Sequence, residues 1–265
     1  MPTRRLARDS FPTPSCTGAA SDLGRIRVRY FAVVAEILGS AVLVHGLWGH
    51  PQDWRWVAEL LAERGVEVRA PDLPSHSSST HGLADDAEAV RREIRSCQGP
   101  VVAVGWSYGG DVISMAAVGE ASVCQLVYAS AVPRPSTTER YDVSWIENDP
   151  HVRLLPDGSY VLDNDLWLAE VAVKTFPNDV LAHLRRHPRR PVSPGVDDPQ
   201  TAASWQSIPT AVILGSADEL ITDEDRARAL KQFADVEILP TDHFVIFRRA
   251  DAVRDAVIRA LNSTC

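Results

Sequence analysis

The 265-residue sequence lacks two features that would place it in well-defined classes of protein. No run of eighteen or more apolar residues is present, so we expect no segment that spans a bilayer. Positive charge is not in excess either, because the net charge is -8. This charge gives no electrostatic basis for binding nucleic acid or an anionic membrane, and we expect neither as a partner.

Cysteine is sparse and widely spaced. Its four copies, at positions 16, 97, 124 and 265, form no C-x-x-C pair, which disfavours a zinc ribbon or a redox motif. The N-terminal segment 1–24 has arginines but no apolar stretch behind them, so it is not typical of a secretory signal. We interpret it as a loose tail. The protein is expected to be globular and cytoplasmic, with reduced thiols and without a metal or an organic cofactor.

Short runs rich in valine and isoleucine alternate with segments of helical period through most of the chain. The runs predicted as strands are 41–45, 66–70, 100–105, 124–130, 210–215 and 236–240. Most of these runs are predominantly apolar and do not alternate, so they predict an α/β fold with a mostly parallel twisted sheet covered by helices on both faces. We assign 25–132 and 205–265 to this core, with a hairpin or edge strands at 25–39.

The alternation stops between Pro133 and Ser204. This segment of about seventy residues has helical patterns broken by proline, and it is too long for a loop within a compact domain. We predict that 133–204 is a small helical lid, inserted after the predicted strand at 124–130. It is expected over the carboxyl ends of the strands, where open α/β sheets bind ligands.

One serine stands where a predicted strand passes into a helix. Gly105, Trp106, Ser107, Tyr108 and Gly109 form a G-x-S-x-G pentapeptide at this point. The pentapeptide alone is a weak signal, but a strand before it and a helix behind it are the context of a nucleophile elbow. In such a turn the glycines leave room for a strained backbone that exposes the serine. We predict that Ser107 is a nucleophile.

A serine nucleophile needs a histidine base and an acid that orients the base. Among the histidines after Ser107, only His243 lies just beyond a predicted strand, although it could also be an ordinary surface residue or the start of a helix. Asp218 is favoured as the acid because it follows the preceding strand. Glu219 and Asp242 remain competitors. These choices follow the chain order serine, acid, histidine, which is the order that this class of fold has.

Two backbone N–H groups are needed to stabilise the oxyanion that forms during acyl transfer. Tyr108, directly after the nucleophile, supplies one. The second is predicted at Leu47, because His45 and Gly46 end the first central strand about sixty residues before the serine, in the turn where this fold carries such a donor.

Aromatic residues near the elbow and in the lid predict an apolar pocket. We assign tentative substrate-binding roles to Trp48, Trp106, Trp145, Trp167 and Phe176. The alternative is that the lid aromatics pack a small core of their own. The expected partner is a small-molecule ester or lactone with apolar groups, and a homodimer is left open.

These motifs together resemble the α/β-hydrolase superfamily from about Ala41 to Leu261. The segments "LVHGLWGH", "APDLPSH", "VVAVGWSYGGDVIS", "LVYASAVP", "ILGSADELI" and "DHF" fall in its order and spacing. They look most similar to the small-lid branch that contains plant methylesterases and hydroxynitrile lyases. The resemblance implies a serine carboxylesterase or lactonase that forms an acyl-enzyme, with catalytic Ser107, Asp218 and His243.

The sequence also departs from its relatives at informative positions. Lyases of this branch have threonine where Gly46 stands and lysine where Phe244 stands, which argues for ester hydrolysis over cyanohydrin cleavage. Ser75 replaces a glycine that is common in a loop near the site. The alternatives to a hydrolase are a hydroxynitrile-lyase-like C–C lyase and a small-ligand binder without activity on the same fold.

Overall fold

The computed structural model describes residues 38–142 and 144–263, without the side chains of Trp145 and Glu147. The tail at 1–24 and almost all of the hairpin expected at 25–39 lie outside these residues. None of the described helices is long and apolar enough to cross a membrane.

Eight strands are present in the described residues. They are β1 (Gly39–Val44), β2 (Val66–Arg69), β3 (Val101–Trp106), β4 (Val123–Ala129), β5 (Val152–Leu154), β6 (Tyr160–Leu162), β7 (Thr210–Gly215) and β8 (Asp235–Leu239). Six of them form one sheet in the order β2-β1-β3-β4-β7-β8, and each neighbouring pair is parallel. The mostly parallel sheet predicted from the sequence is confirmed.

The same part of the chain contains ten α-helices. They are α1 (Arg55–Ala62), α2 (Leu83–Ser96), α3 (Gly109–Ala116), α4 (Ser144–Glu147), α5 (Asn164–Trp167), α6 (Val173–Thr175), α7 (Asn178–Arg186), α8 (Asp223–Gln232), α9 (Val245–Arg248) and α10 (Ala250–Ser263). Short 3-10 turns cover Pro51–Trp54, Pro74–His76 and Ser204–Gln206, and a π-helical turn covers Leu168–Ala172.

Helices cover both faces of the sheet. Along β1 the side chains alternate, so that Val42 and Val44 pack with α2 and α3 on one face, whereas Ala41 and Leu43 pack with α1 and α10 on the other. All four side chains are fully buried. A strand buried on both faces is mostly apolar, which is why the sequence shows a nearly continuous apolar run there.

The segment 133–204 is not purely helical. It contains α4 to α7, and β5 pairs with β6 as an antiparallel hairpin between them. Each of these two strands has only three residues, which is too short to show a period in the sequence. A small apolar cluster links α7 and the π-helical turn to Trp56 on α1 and to Phe244 and Phe247.

Candidate active site

Ser107 occupies a strained turn between β3 and α3. Its φ is +53°, in the left-handed region that a residue with a side chain rarely adopts. Its N–H donates a 3.0 Å hydrogen bond to the carbonyl of Ala129 on β4. A Cβ added at Gly105 would collide with the carbonyl of Gly109, and one added at Gly109 would collide with the carbonyl of Val44. The glycines therefore permit the turn for steric reasons.

His243 and Asp218 are hydrogen-bonded. The His243 Nδ1 lies 2.9 Å from the Asp218 Oδ2, and the other Asp218 oxygen accepts the N–H of Leu220 at 3.0 Å. The Asp218 side chain is fully buried and that of His243 is nearly so. A carboxylate at Nδ1 favours the tautomer with its proton on that nitrogen, which leaves Nε2 as a proton acceptor.

The competing acids have other surroundings. Glu219 is exposed, at the rim of the cavity described below. Asp242 binds the guanidinium of Arg248 at 2.9 Å and accepts the N–H of Phe244 at 3.1 Å. The carboxylate beside the imidazole of His243 is therefore that of Asp218.

Two other histidines that follow the serine have acidic partners of their own. His183 Nε2 lies 2.9 Å from Asp53, and His151 Nδ1 lies 2.9 Å from Asp149. Among the described residues, no group of three or more His, Cys, Asp or Glu side chains is arranged to hold a metal ion.

Two backbone N–H groups border the same space as Ser107. Within the described residues, the N–H groups of Leu47 and Tyr108 donate to no backbone or side-chain acceptor, and both residues line the cavity. The loop of Leu47 approaches the elbow closely, since a Cβ added at Gly46 would lie 3.0 Å from the Cβ of Ser107. Unpaired N–H groups beside a nucleophile are suited to binding an oxyanion.

A cavity of about 510 Å³ joins these groups. Ser107 and His243 both line it, together with Trp48, Trp106 and Trp167 from the predicted set. Phe176 is buried in the apolar cluster of the 133–204 segment and is not among the described residues that line the cavity. It contacts the cavity wall through Phe244, with ring centroids 4.8 Å apart. The Trp145 side chain lies outside the described part of the chain.

Several lining residues were not anticipated from the sequence. Phe244 and Phe247 extend the aromatic wall, and their signal in the sequence is their position one and four residues after His243. A charged wall is formed by Arg134 and Asp111, which are joined at 2.6 Å between the Arg134 Nη2 and the Asp111 Oδ2. The cavity thus has an aromatic part and a charged part.

Backbone strain is concentrated at this cavity. Three non-glycine residues of the described chain have a positive φ, namely Trp48 at +52°, Ser107 at +53° and Ser130 at +48°, and all three line the cavity. Strained conformations persist only where the surrounding structure fixes them, and they cluster at functional sites. The backbone strain therefore indicates a functional site at the same cavity that His243, hydrogen-bonded to Asp218, also lines.

Comparison with known proteins agrees with this architecture. The sequence pattern described as the alpha/beta hydrolase family matches residues 41–256. The search of curated proteins gives no significant match. Many solved structures do match, and three of them illustrate the range.

A pyrethroid hydrolase from Sphingobium faniae has a TM-score of 0.66 at 20% identity, covering 84% of this chain and 97% of its own. A methylesterase from Arabidopsis has a TM-score of 0.64 at 15% identity, covering 84% and 98%. Tomato methylketone synthase I, solved with 2-tridecanone, has a TM-score of 0.69 at 16% identity, covering 84% and 98%. At such identities the likeness is one of fold. Together with the family match over most of its length, it shows that this chain belongs to the alpha/beta hydrolase family.

Proposed function

We propose that the protein is a serine hydrolase that cleaves a carboxylic ester or lactone through an acyl-enzyme. Ser107 is the nucleophile, His243 the general base and acid, and Asp218 the residue that orients His243. The N–H groups of Leu47 and Tyr108 form the oxyanion hole. The observation that carries this proposal is the 2.9 Å hydrogen bond between His243 and Asp218 at a cavity that Ser107 also lines.

The reaction proceeds in two halves. The Ser107 Oγ attacks the carbonyl carbon while the His243 Nε2 takes its proton, and the carbonyl oxygen becomes an oxyanion held by the two N–H groups. Collapse of this intermediate transfers the proton to the leaving alcohol and leaves an ester on Ser107. Water then attacks the acyl-enzyme with the same base. In a lactone the leaving alcohol stays attached to the acyl chain, so hydrolysis gives one hydroxy acid.

The cavity supports a substrate that is bulky and largely apolar. Indole rings of Trp48, Trp106 and Trp167 and the rings of Phe244 and Phe247 line it, and a space of about 510 Å³ falls in the usual range for a small-molecule site. Two of the similar structures are those of a pyrethroid hydrolase and a methylesterase. Both names describe hydrolases, and the second describes an esterase.

The segment 133–204 is proposed to act as the lid of this site. Trp167 and Leu184 bring its helices to the cavity wall. Arg189, which follows α7, also borders the cavity and binds Asp53 of the core at 2.6 Å. The lid is therefore anchored beside the space that the substrate would occupy.

A C–C lyase of the hydroxynitrile type is the second candidate, and two residues argue against it. The close approach of Gly46 to the elbow leaves little room for a threonine, since its Cβ would lie 3.0 Å from the Ser107 Cβ and 3.1 Å from the carbonyl of Trp106. Phe244 places a phenyl ring on the aromatic wall where such lyases have a lysine. A binder without activity, the third candidate, would need no hydrogen-bonded histidine and aspartate beside a strained serine.

A serine-reactive fluorophosphonate probe tests the proposal. We expect it to label the wild type and Ser114→Ala but not Ser107→Ala, because Ser114 is a buried serine on α3 that does not line the cavity. Equal labelling of wild type and Ser107→Ala would refute the proposed nucleophile. A panel of p-nitrophenyl esters and lactones of varied size then identifies the acyl preference, and cyanide release from cyanohydrins detects the lyase alternative.

A further inference from the structure

A buried carboxylate lies behind the residue that follows the nucleophile. Asp86 of α2 has no exposed surface, and its Oδ2 accepts the hydroxyl of Tyr108 at 2.7 Å. The same oxygen accepts the Ser75 hydroxyl at 2.6 Å, and the Asp86 Oδ1 accepts the Ser75 N–H at 2.9 Å. Three donors thus hold one carboxylate, and one of them belongs to the residue whose N–H forms half of the proposed oxyanion hole.

This carboxylate is held by neutral donors. Within the described residues its hydrogen bonds come only from Ser75 and Tyr108, although an ionised carboxylate in a protein interior is usually paired with a cation. Burial raises the pKa of the Asp86 carboxyl, and the hydrogen bonds from Ser75 and Tyr108 counteract it. A buried acid bonded to the residue that follows the proposed nucleophile needs a reason, because buried titratable groups concentrate at functional sites.

The geometry of the elbow supplies that reason. Ser107 has a φ of +53°, whereas Tyr108 has an ordinary helical φ of -48° at the start of α3. The peptide between them carries the N–H that faces the proposed oxyanion, and rotation of this peptide about the ψ of Ser107 and the φ of Tyr108 would turn that N–H away. A tyrosine ring fixed at its far end restricts the Cα of Tyr108 and therefore restricts that rotation.

The hydroxyl of Tyr108 is a dependable donor. Burial, followed by the neighbouring Asp86 carboxylate, raises the pKa of Tyr108 well above its usual value, so the hydroxyl keeps its proton. Ser75 in turn fixes the carboxylate from two sides, and its own hydroxyl lies 3.0 Å from the His76 Nδ1. This accounts for the serine at a position where glycine is common, since glycine has no hydroxyl to offer.

We propose that Asp86 is a positioning residue for the proposed hydrolysis: through the Tyr108 hydroxyl it holds the Ser107–Tyr108 peptide so that its N–H points at the oxyanion. Ser75 fixes the carboxylate that does so. The inference rests on the proposed function. It assigns to Asp86 no contact with substrate, and its effect is therefore on the rate of the chemical step.

Kinetics of Tyr108→Phe, Asp86→Asn and the double variant test this role. We expect kcat on a p-nitrophenyl ester to fall about 10- to 100-fold in each single variant with KM within about twofold, since removing one oxyanion donor entirely costs about 10²- to 10³-fold. The double variant should be no slower than the slower single variant, within about twofold, because both changes break one linkage. Ser75→Ala should show a smaller loss in the same parameter.

Tyr128→Phe is the matched control. Tyr128 on β4 is also a buried tyrosine, and its hydroxyl bonds the Ser114 hydroxyl at 2.7 Å, away from the cavity. We expect its kcat within about twofold of wild type at a similar loss of thermal stability. If Tyr108→Phe keeps its kcat, or if kcat falls as much in Tyr128→Phe, Asp86 contributes only to stability and the inference is overturned.

The experiments distinguish failure of the proposed hydrolase function from failure of the positioning role of Asp86. Without labelling that depends on Ser107 in the wild type, the proposed hydrolase function fails and the positioning role fails with it. With that labelling and with unchanged kcat in the variants, only the positioning role fails. A double variant whose losses multiply also contradicts it, since independent effects would then act through separate contacts.

Discussion

The indole Nε1 of Trp106 donates a 2.9 Å hydrogen bond to the backbone carbonyl of His243. The residue before the proposed nucleophile thereby holds the loop that carries the proposed base, although Trp106 and His243 are 137 positions apart in the chain. The Trp106 ring also lies against the His243 ring, with centroids 5.9 Å apart. Trp106 therefore links the strained turn at Ser107 to the loop that carries His243, and the relative position of the two depends on its contacts.

Trp106→Phe should slow hydrolysis by releasing the histidine loop. A buried hydrogen bond contributes about 1 kcal/mol, so we expect kcat/KM to fall roughly 5- to 10-fold, as measured with a p-nitrophenyl ester. Trp54→Phe is the control, because Trp54 is a fully buried indole of the core that does not line the cavity. Comparable losses in both variants would show that general packing, and not the loop contact, sets the rate.

Asp218→Asn should abolish most of the activity. An amide in place of the carboxylate favours the wrong imidazole tautomer, so we expect kcat to fall by about 10⁴-fold with KM little changed. Asp242→Asn changes the neighbouring acid, which binds Arg248 at the surface, and should keep kcat within about threefold. Steady-state kinetics of the purified variants decides between them, and a larger loss in Asp242→Asn would reassign the acid.

The sequence predicted the sheet and the groups at its edge for the same physical reason. Parallel strands buried on both faces are rich in apolar residues, so β7 was predicted with its observed bounds and the other five strands of the large sheet within two residues at each end. Ser107, Asp218 and His243 each follow such a run. Their meeting at one edge of the sheet follows from the parallel arrangement, which brings the carboxyl ends of the strands together.

What the sequence could not predict depends on contacts between distant segments. The hairpin β5–β6 has three-residue strands without a readable period, and the burial of Phe176 behind Phe244 follows from how the 133–204 segment packs. The hydrogen bond between Ser75 and Asp86 could not be predicted either, because the two residues lie on different elements. Patterns of hydrophobicity report which face is buried, but they do not report which polar side chains meet inside.

A buried ion pair fastens the proposed lid to the core. Arg189 binds both oxygens of Asp53, at 2.6 Å and 3.0 Å, and His183 of α7 adds a third contact. We expect Asp53→Asn to lower the free energy of unfolding by roughly 3–5 kcal/mol, because it leaves the Arg189 charge buried and uncompensated. Arg55→Ala breaks an exposed pair with Glu59 and should cost less than about 1 kcal/mol.

Urea titration with a fluorescence readout measures both differences. The double variant Asp53→Asn/Arg189→Met should lose less than the sum of its single variants, because it removes both charges of the pair. If Asp53→Asn lowers the free energy of unfolding no more than Arg55→Ala does, the Asp53–Arg189 ion pair does not stabilise the protein.

The contacts of Asp53 with Arg189 and His183 also predict that the stability of the protein is sensitive to acid. Burial alone would raise the pKa of Asp53, but the Arg189 charge and the hydrogen bonds from His183, Arg189 and His50 outweigh it and hold that pKa below its usual range. A lowered folded pKa means stability that is present above the unfolded pKa of about 3.9 and lost as pH falls below it. We expect the free energy of unfolding to decrease from about pH 5 downward, with a shallower slope in Asp53→Asn than in wild type. Parallel slopes in the two proteins would contradict the assignment.

Gly46→Ala tests whether the loop of Leu47, the proposed second oxyanion donor, depends on close contact with the turn at Ser107. The added Cβ would lie 3.0 Å from the Cβ of Ser107 and 3.1 Å from the carbonyl of Trp106, so one of the two loops must shift by a few tenths of an ångström. Because the Leu47 N–H is on the shifted loop, we expect kcat to fall by about tenfold or more, since losing an oxyanion-hole donor outright costs about 10²- to 10³-fold. Kinetics and fluorophosphonate labelling, compared at matched thermal stability, measure the loss. An unchanged kcat would contradict this expectation, and Leu47 would no longer be favoured as the second donor.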